Sequence, residues 1–150
     1  MSTDLLNQLL AISELMRRDM ARAFAGTPLT ESRVAVLWTL RMLGASTQRD
    51  VATALGVSGK NVSLLVDALE ATGYVNRATH PTDRRAVLLE LTESANVMMA
   101  TMEREHAELA ETLVAAVAPG DVVATQRGVA AIAARLSELV EEAATAEQLP

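Results

Sequence analysis

The joint between "STQRDVATALG" and "VSGKNVSLLVDALEATG" constrains this chain more than any other stretch. Thr47 stands where a helix N-cap belongs, with Asp50 three residues on as a shortened capping box, and Gly56 ends a helix of barely two turns. Ser58 then caps a second helix that stops at Gly73. Two helices joined by "GVS" match the helix-turn-helix spacing, in which a short Gly-containing turn crosses the second helix over the first. On that second helix Val62, Leu65, Val66 and Leu69 recur at helical spacing and must face a core. Lys60, Leu64 and Asp67 then point the opposite way, flanked by Asn61 and Ser63.

Two strands are expected after Gly73. "YVNRAT" and "AVLLELT" have strand-like composition, and Val87, Leu89 and Leu91 alternate on one face. The tip that joins them, "HPTDRR", is polar and places two arginines side by side. A helix-turn-helix followed by such a hairpin is a winged helix. A hairpin beside a helix in the major groove of DNA can lay its arginines along the backbone or into the minor groove, where negative potential is strongest.

The flanks read as long helices, so the fold class is mostly α with a small β-hairpin. Glycine (7) and proline (4) are sparse and half of the residues are hydrophobic, which favours helices over a sheet protein. The first helix, about residues 3–24, has an apolar stripe broad enough to bury two faces. Thr30 caps a second over 31–43, with Val34, Leu37, Trp38 and Leu40 inward and Gly44 after its end. Thr92 caps a helix over about 93–117, "PGD" interrupts, and the last runs over about 121–146. These terminal helices offer more apolar surface than one small domain can bury, and a homodimer would bury it. The expected organisation is a dimerisation region of residues 1–29 and 93–150 around a DNA-binding lobe of residues 30–92.

Several function classes are excluded on inventory. Cysteine is absent, which removes disulfides, thiolate zinc sites and thiol nucleophiles. No glycine-rich phosphate loop, Gly-x-Ser-x-Gly elbow or His-Glu-x-x-His motif occurs, so an enzyme is not expected. His80 and His106 are the only histidines, and neither they nor the acids of "EREHAELAE" lead us to expect a metal site or any other cofactor. The N-terminus lacks a basic leader, and no apolar run approaches the ~20 residues of a membrane span, so a soluble cytoplasmic protein is expected. The net charge of −6 is unevenly spread: residues 30–92 carry seven basic and six acidic side chains, whereas residues 93–150 carry three and ten. The acidity therefore lies outside the helix-turn-helix and hairpin, which is locally basic where Lys60, Arg84 and Arg85 cluster.

The helix order, the block "SGKNVSLLVDALEATGYVNR" and above all "PTDRRAVLLELT" resemble the multiple antibiotic resistance regulator (MarR) family of bacterial transcription factors. The most specific part of the resemblance is the wing: an Asp, an Arg two residues later, and an alternating strand ending in Leu-Thr, here Asp83, Arg85, Leu91 and Thr92. The resemblance implies a homodimer that binds a pseudo-palindromic operator in double-stranded DNA, acts as a repressor, and is released by a small aromatic or anionic effector. The chain departs from the family pattern at Leu64 and Ala68, where arginines are common, and in "TESANV", where a glycine commonly follows the Leu-Thr segment.

The expected DNA contacts are Thr47, Gln48 and Arg49 on the first helix of the motif; Ser58, Gly59, Lys60, Asn61, Ser63 and Leu64 on the second; and Asp83, Arg84 and Arg85 in the wing. Asp83 is expected to brace one arginine while the other reaches DNA, and Leu64 to touch a thymine methyl. An effector pocket is expected around Arg17 (or Arg18), Met20, Trp38 and Met42, and Met16, Met20, Met42, Met98, Met99 and Met102 are expected to fill the core. The competing reading is a winged helix used only for protein–protein association. It offers no reason to keep Lys60, Arg84 and Arg85 free of acidic partners.

Overall fold

Side-chain hydroxyls set the starts of four helices. In the computed structural model, which describes residues 2–146, Thr30 Oγ1 accepts from the backbone N–H of Arg33 at 3.3 Å and opens α2 (Glu31–Leu43). Thr47 opens α3 (Gln48–Leu55) with a reciprocal capping box: Thr47 Oγ1 accepts from the Asp50 N–H at 3.2 Å, and Asp50 Oδ2 accepts from the Thr47 N–H at 3.1 Å. Ser58 Oγ accepts from the Asn61 N–H and opens α4 (Gly59–Ala71). Thr92 does the same for Ala95 at the start of α5 (Glu93–Ala115). Gly56 ends α3 in the left-handed region at φ 66°, where a side chain would be strained, and this conformation turns the chain into α4 within two residues.

The remaining elements are α1 (Ser2–Ala23), β1 (Ser46–Thr47), β2 (Val75–Thr79), β3 (Val87–Leu91), a 3-10 turn (Pro119–Asp121) and α6 (Val122–Ala146). The strands form an antiparallel sheet in the order β1-β3-β2. The expected hairpin is present, with Val75 opposite Leu91 and Thr79 opposite Val87. A third strand joins it: Ser46 and Thr47 pair with Leu89 and Leu88. Ser46 is buried, and its hydroxyl donates to the Gly44 carbonyl at 2.9 Å, so its burial leaves no unmet polar group.

Packing explains why an eight-residue helix such as α3 persists, since a helix of two turns has no independent stability in water. Val51 of α3 is fully buried, together with Val36 and Leu37 of α2, Val62, Val66 and Leu69 of α4, and Leu89 of β3. Met99 of α5 closes this core, with Met98 and Met102 partly buried against it. Thr92 holds α5 to the end of α4, because its hydroxyl donates to the Gly73 carbonyl at 2.8 Å and its N–H to that of Tyr74. Val87 departs from the expected inward alternation: it is exposed, because it lies at the wing end of β3 beyond the core that covers Leu89.

The chain divides into two compact units, one running to Met102 and the other beginning at Glu103. In the first, α1 corrects the expectation of two buried faces, for Leu6, Leu10 and Leu15 are each more than half exposed in the single chain. Met16 and Met42, expected in the core, are exposed as well. In the second unit α6 has no buried residue, and Val123, Val129, Leu136 and Val140 all face outward. Among the described residues, no helix is long and apolar enough to cross a membrane.

Because Leu69 is fully enclosed, its truncation leaves a cavity. Leu69→Ala is expected to cost about 2–5 kcal/mol of unfolding free energy, read from the urea midpoint, whereas Leu64→Ala, on the exposed face of the same helix, is expected to change it little.

Candidate nucleic-acid interface

Burial of Val62, Val66 and Leu69 fixes the rotation of α4 about its axis, and the helical period then places Lys60, Leu64 and Asp67 outward. All three are exposed, Leu64 by 62%. Asn61 is exposed beside them and Ser63 is half-buried. Lys60 makes no hydrogen bond or ion pair among the described residues. Ser58 and Gly59 lie at the helix start, where free backbone N–H groups and the positive end of the helix dipole favour an anion.

On α3 the expected DNA-contacting residues divide. Arg49 is exposed and Gln48 half-exposed. The Thr47 hydroxyl is engaged in the cap, donating to Asp50 Oδ2 at 2.8 Å as well as accepting from the Asp50 N–H. The hydrogen bond from Thr47 holds the Asp50 carboxyl below its ordinary range, so this cap stays intact until acid protonates it.

The wing tip is built from its own backbone. The His80 N–H donates to the Ala86 carbonyl at 3.2 Å, and the Ala86 N–H returns to the Asp83 carbonyl at 3.1 Å. Asp83 corrects the expected brace: its carboxylate accepts from the backbone N–H of Arg85 at 2.9 Å and touches neither guanidinium. A short acidic side chain two residues before an N–H closes this turn more readily than it reaches a long arginine across the tip. Arg84 and Arg85 are therefore exposed and, among the described residues, unpaired with any carboxylate.

Arg77 on β2 makes an ion-pair cluster beside the candidate interface that sequence reasoning missed. Its guanidinium binds Asp67 at 2.5 Å and also Glu70, both on the exposed side of α4. The hydrogen bond that the guanidinium donates to Asp67 chiefly holds it in its charged form, against the opposing effect of partial burial. The available signal was two carboxylates three residues apart on an otherwise polar helix face, followed by an arginine in the next strand. This clasp joins the outer face of α4 to β2 and offsets part of the negative charge of the two acids.

The residues expected to form an effector pocket have different surroundings. On α1, Arg17 is exposed and paired with Glu14, and Met20 is half-buried. On α2, Trp38 packs against the core, whereas Met42, one turn later, is 81% exposed. An open cleft lies elsewhere, between α2 and the α3–α4 turn, bordered by Ala35, Leu55, Val57, Leu64 and Leu65. Among the described residues no three His, Asp or Glu side chains converge as a metal site would need.

Comparison with known proteins places these features in a family context. The family model for the MarR family matches residues 29–87. The chain is 32% identical to an HTH-type transcriptional regulator of Mycobacterium bovis over 105 residues, covering 69% of this chain and 73% of the relative. It is 32% identical to the HTH-type transcriptional regulator YfiV of Bacillus subtilis over 103 residues, covering 68% of this chain and 59% of that protein. Its fold matches that of FabT from Streptococcus pneumoniae, solved in complex with DNA, with a TM-score of 0.85 at 18% identity, over 93% of this chain and 99% of the other.

The Arg77 clasp is accessible to water, so its stabilising effect is screened. Arg77→Ala is expected to destabilise by about 1 kcal/mol in a urea titration, and added salt is expected to narrow the gap between variant and parent.

Proposed function

The chain belongs to the MarR family, and on that premise we propose that it is a sequence-specific, double-stranded DNA-binding transcription regulator. It works as a homodimeric repressor in the cytoplasm, as a binding protein rather than a catalyst, and a small aromatic or anionic effector releases it from a pseudo-palindromic operator. One observation carries this reading: Lys60 on the outer face of a capped helix and Arg84 and Arg85 on the adjoining wing are exposed cations without acidic partners among the described residues, in a chain with an excess of acids. A module used only for protein association would have no need to leave all three uncompensated.

The chemistry follows from the geometry. The N-terminal turn of α4 enters the major groove, where the N–H groups near Ser58 and Gly59 meet a phosphate, and Lys60, Asn61 and Ser63 meet base edges or the backbone. Leu64 offers a methyl-sized apolar contact, suited to thymine. Gln48 and Arg49 contact the backbone at the flank, and the arginines of the wing meet the phosphates or the minor groove beside it. Asp67 and Glu70 would repel those phosphates if bare, and Arg77 offsets them.

Dimerisation uses residues 1–29 and 93–150, while residues 30–92 bind DNA. The support is the outward-facing apolar residues on α1 and α6, which the single chain leaves in water. A two-fold dimer would set two α4 helices about one DNA turn apart, roughly 34–36 Å. An effector held near Arg17, Met20, Trp38 and Met42 would lie on α1 and α2, between the dimerising helix and the DNA-binding lobe in chain order, and would change that spacing.

Two experiments test the proposal. In mobility shifts against genomic fragments at two salt concentrations, the protein is expected to retain specific fragments. Lys60→Ala or Asn61→Ala is expected to weaken binding by about 1–3 kcal/mol and to relax preference at the base it reads. The double variant Arg84→Ala/Arg85→Ala is expected to keep its thermal midpoint while the slope of log affinity against log salt falls by about one unit for each phosphate that is no longer neutralised. Binding to no DNA at low salt would refute the proposal.

Assembly is tested separately by sedimentation. The full chain is expected to run as a dimer, and removal of residues 121–150 is expected to give an insoluble or unfolded product. A well-folded monomeric truncation would contradict the assigned arms.

A further inference from the structure

The tip of the wing contains a side chain that none of the proposed DNA contacts uses. His80 Nδ1 lies 3.2 Å from the backbone nitrogen of Thr82 and 3.2 Å from that of Asp83, and the Thr82 hydroxyl is 3.3 Å away. Both backbone groups are donors, so Nδ1 must present its lone pair. An imidazole can do so only when neutral and with its single proton on Nε2. The ring then satisfies two N–H groups that the hairpin ladder leaves unused, since that ladder ends at Thr79 and Val87. The backbone bonds between His80 and Ala86 and between Ala86 and Asp83 close the same loop, and the Asp83 carboxylate fixes the Arg85 N–H inside it.

From this geometry we infer that His80 is the positioning residue of the wing: its neutral imidazole orders the loop over residues 80–86 and thereby holds Arg84 and Arg85 ready to bind phosphate. The inference rests on the DNA-binding reading above. Without the imidazole acceptor the Thr82 and Asp83 N–H groups lose their partner while the bonds to Ala86 and Arg85 remain, so the tip loosens around Thr82 and Asp83, and ordering the two arginines when DNA arrives costs affinity. Protonation has the same local effect, because a ring carrying hydrogen on Nδ1 becomes a donor facing two donors. Among the described residues, the ring bonds with Thr82 and Asp83 alone.

Asparagine provides the discriminating substitution. Its Oδ1 is as many bonds from the backbone as the histidine Nδ1, it accepts N–H groups two and three residues on, and it does not titrate. In DNA titrations with the full-length protein, His80→Ala is expected to lose roughly five- to ten-fold in affinity through the disordered arginines. Its salt slope is expected to stay at the parental value, because both arginines still meet phosphate in the complex, and His80→Asn is expected to restore the affinity. In nuclear magnetic resonance spectra of the DNA-free protein, the ring nitrogens are expected to report the Nε2–H tautomer. The Thr82 and Asp83 amide signals are expected to carry hydrogen-bonded shifts in the parent and in His80→Asn, and to lose them in His80→Ala. Parental affinity in His80→Ala, a His80→Asn variant as weak as His80→Ala, or an Nδ1–H tautomer would each overturn the inference. If the parent protein binds no DNA at all, the regulatory reading fails instead, and the spectra still decide whether the imidazole orders the tip.

Discussion

The apolar ridge of α4 is the constraint on which the rest of this structure depends. Val62, Val66 and Leu69 have no surface left to water, and a helix is too stiff to bury one face without committing the opposite one. Enclosure of the ridge by α2, α3 and the sheet therefore decides which residues face outward. It also sustains α3, whose two turns could not survive alone, and seats β3, whose Leu89 completes the same core. A polar substitution in the ridge would disturb the recognition surface without touching it.

The electrostatic design follows from that commitment. An acidic chain can carry a phosphate-binding face only if the acids on that face are compensated locally, because exposed charges are screened over a distance of about 8–10 Å. Arg77 provides the compensation at the carboxyl end of the outer face of α4, where Asp67 and Glu70 would otherwise stand bare. Toward the amino end the helix dipole and Lys60 are left uncompensated among the described residues. The surface thus grades from weakly acidic around the clasp, where one arginine offsets part of two carboxylates, to positive where a groove would be entered.

Legibility in the sequence followed the range of the interactions. Local chemistry was readable: Thr30, Thr47, Ser58 and Thr92 all act as caps, Gly44 and Gly56 end helices, and the helical period picked out the face of α4 that is buried. Long-range pairing was not. Two residues show no periodicity, so Ser46 and Thr47 become a strand only because Leu88 and Leu89 are there to receive them. Asp83 and Arg77 show the same division, since the nearest charge in sequence did not become the partner in either case. The stripe on α1 was visible as apolar, but how a single chain leaves it exposed depends on surfaces that no local pattern encodes. The wing's polar tip was recognised by composition, while the role of His80 depends on which of its two nitrogens faces the loop.

The strand order β1-β3-β2 has a consequence for colloidal behaviour. β3 is flanked on both sides, along its length by β2 and at Leu88 and Leu89 by β1, but β2 lies at the margin of the sheet with its outer row of peptide groups unpaired by any strand among the described residues. Such a margin is a template on which another polypeptide can add itself, the first step towards edge-to-edge aggregation. Here the template is only five residues long, it carries the cationic Arg77, and Pro81, which has no N–H to donate, follows closely after its end. A margin this short, with a proline soon after its end, gives an incoming strand little to pair with.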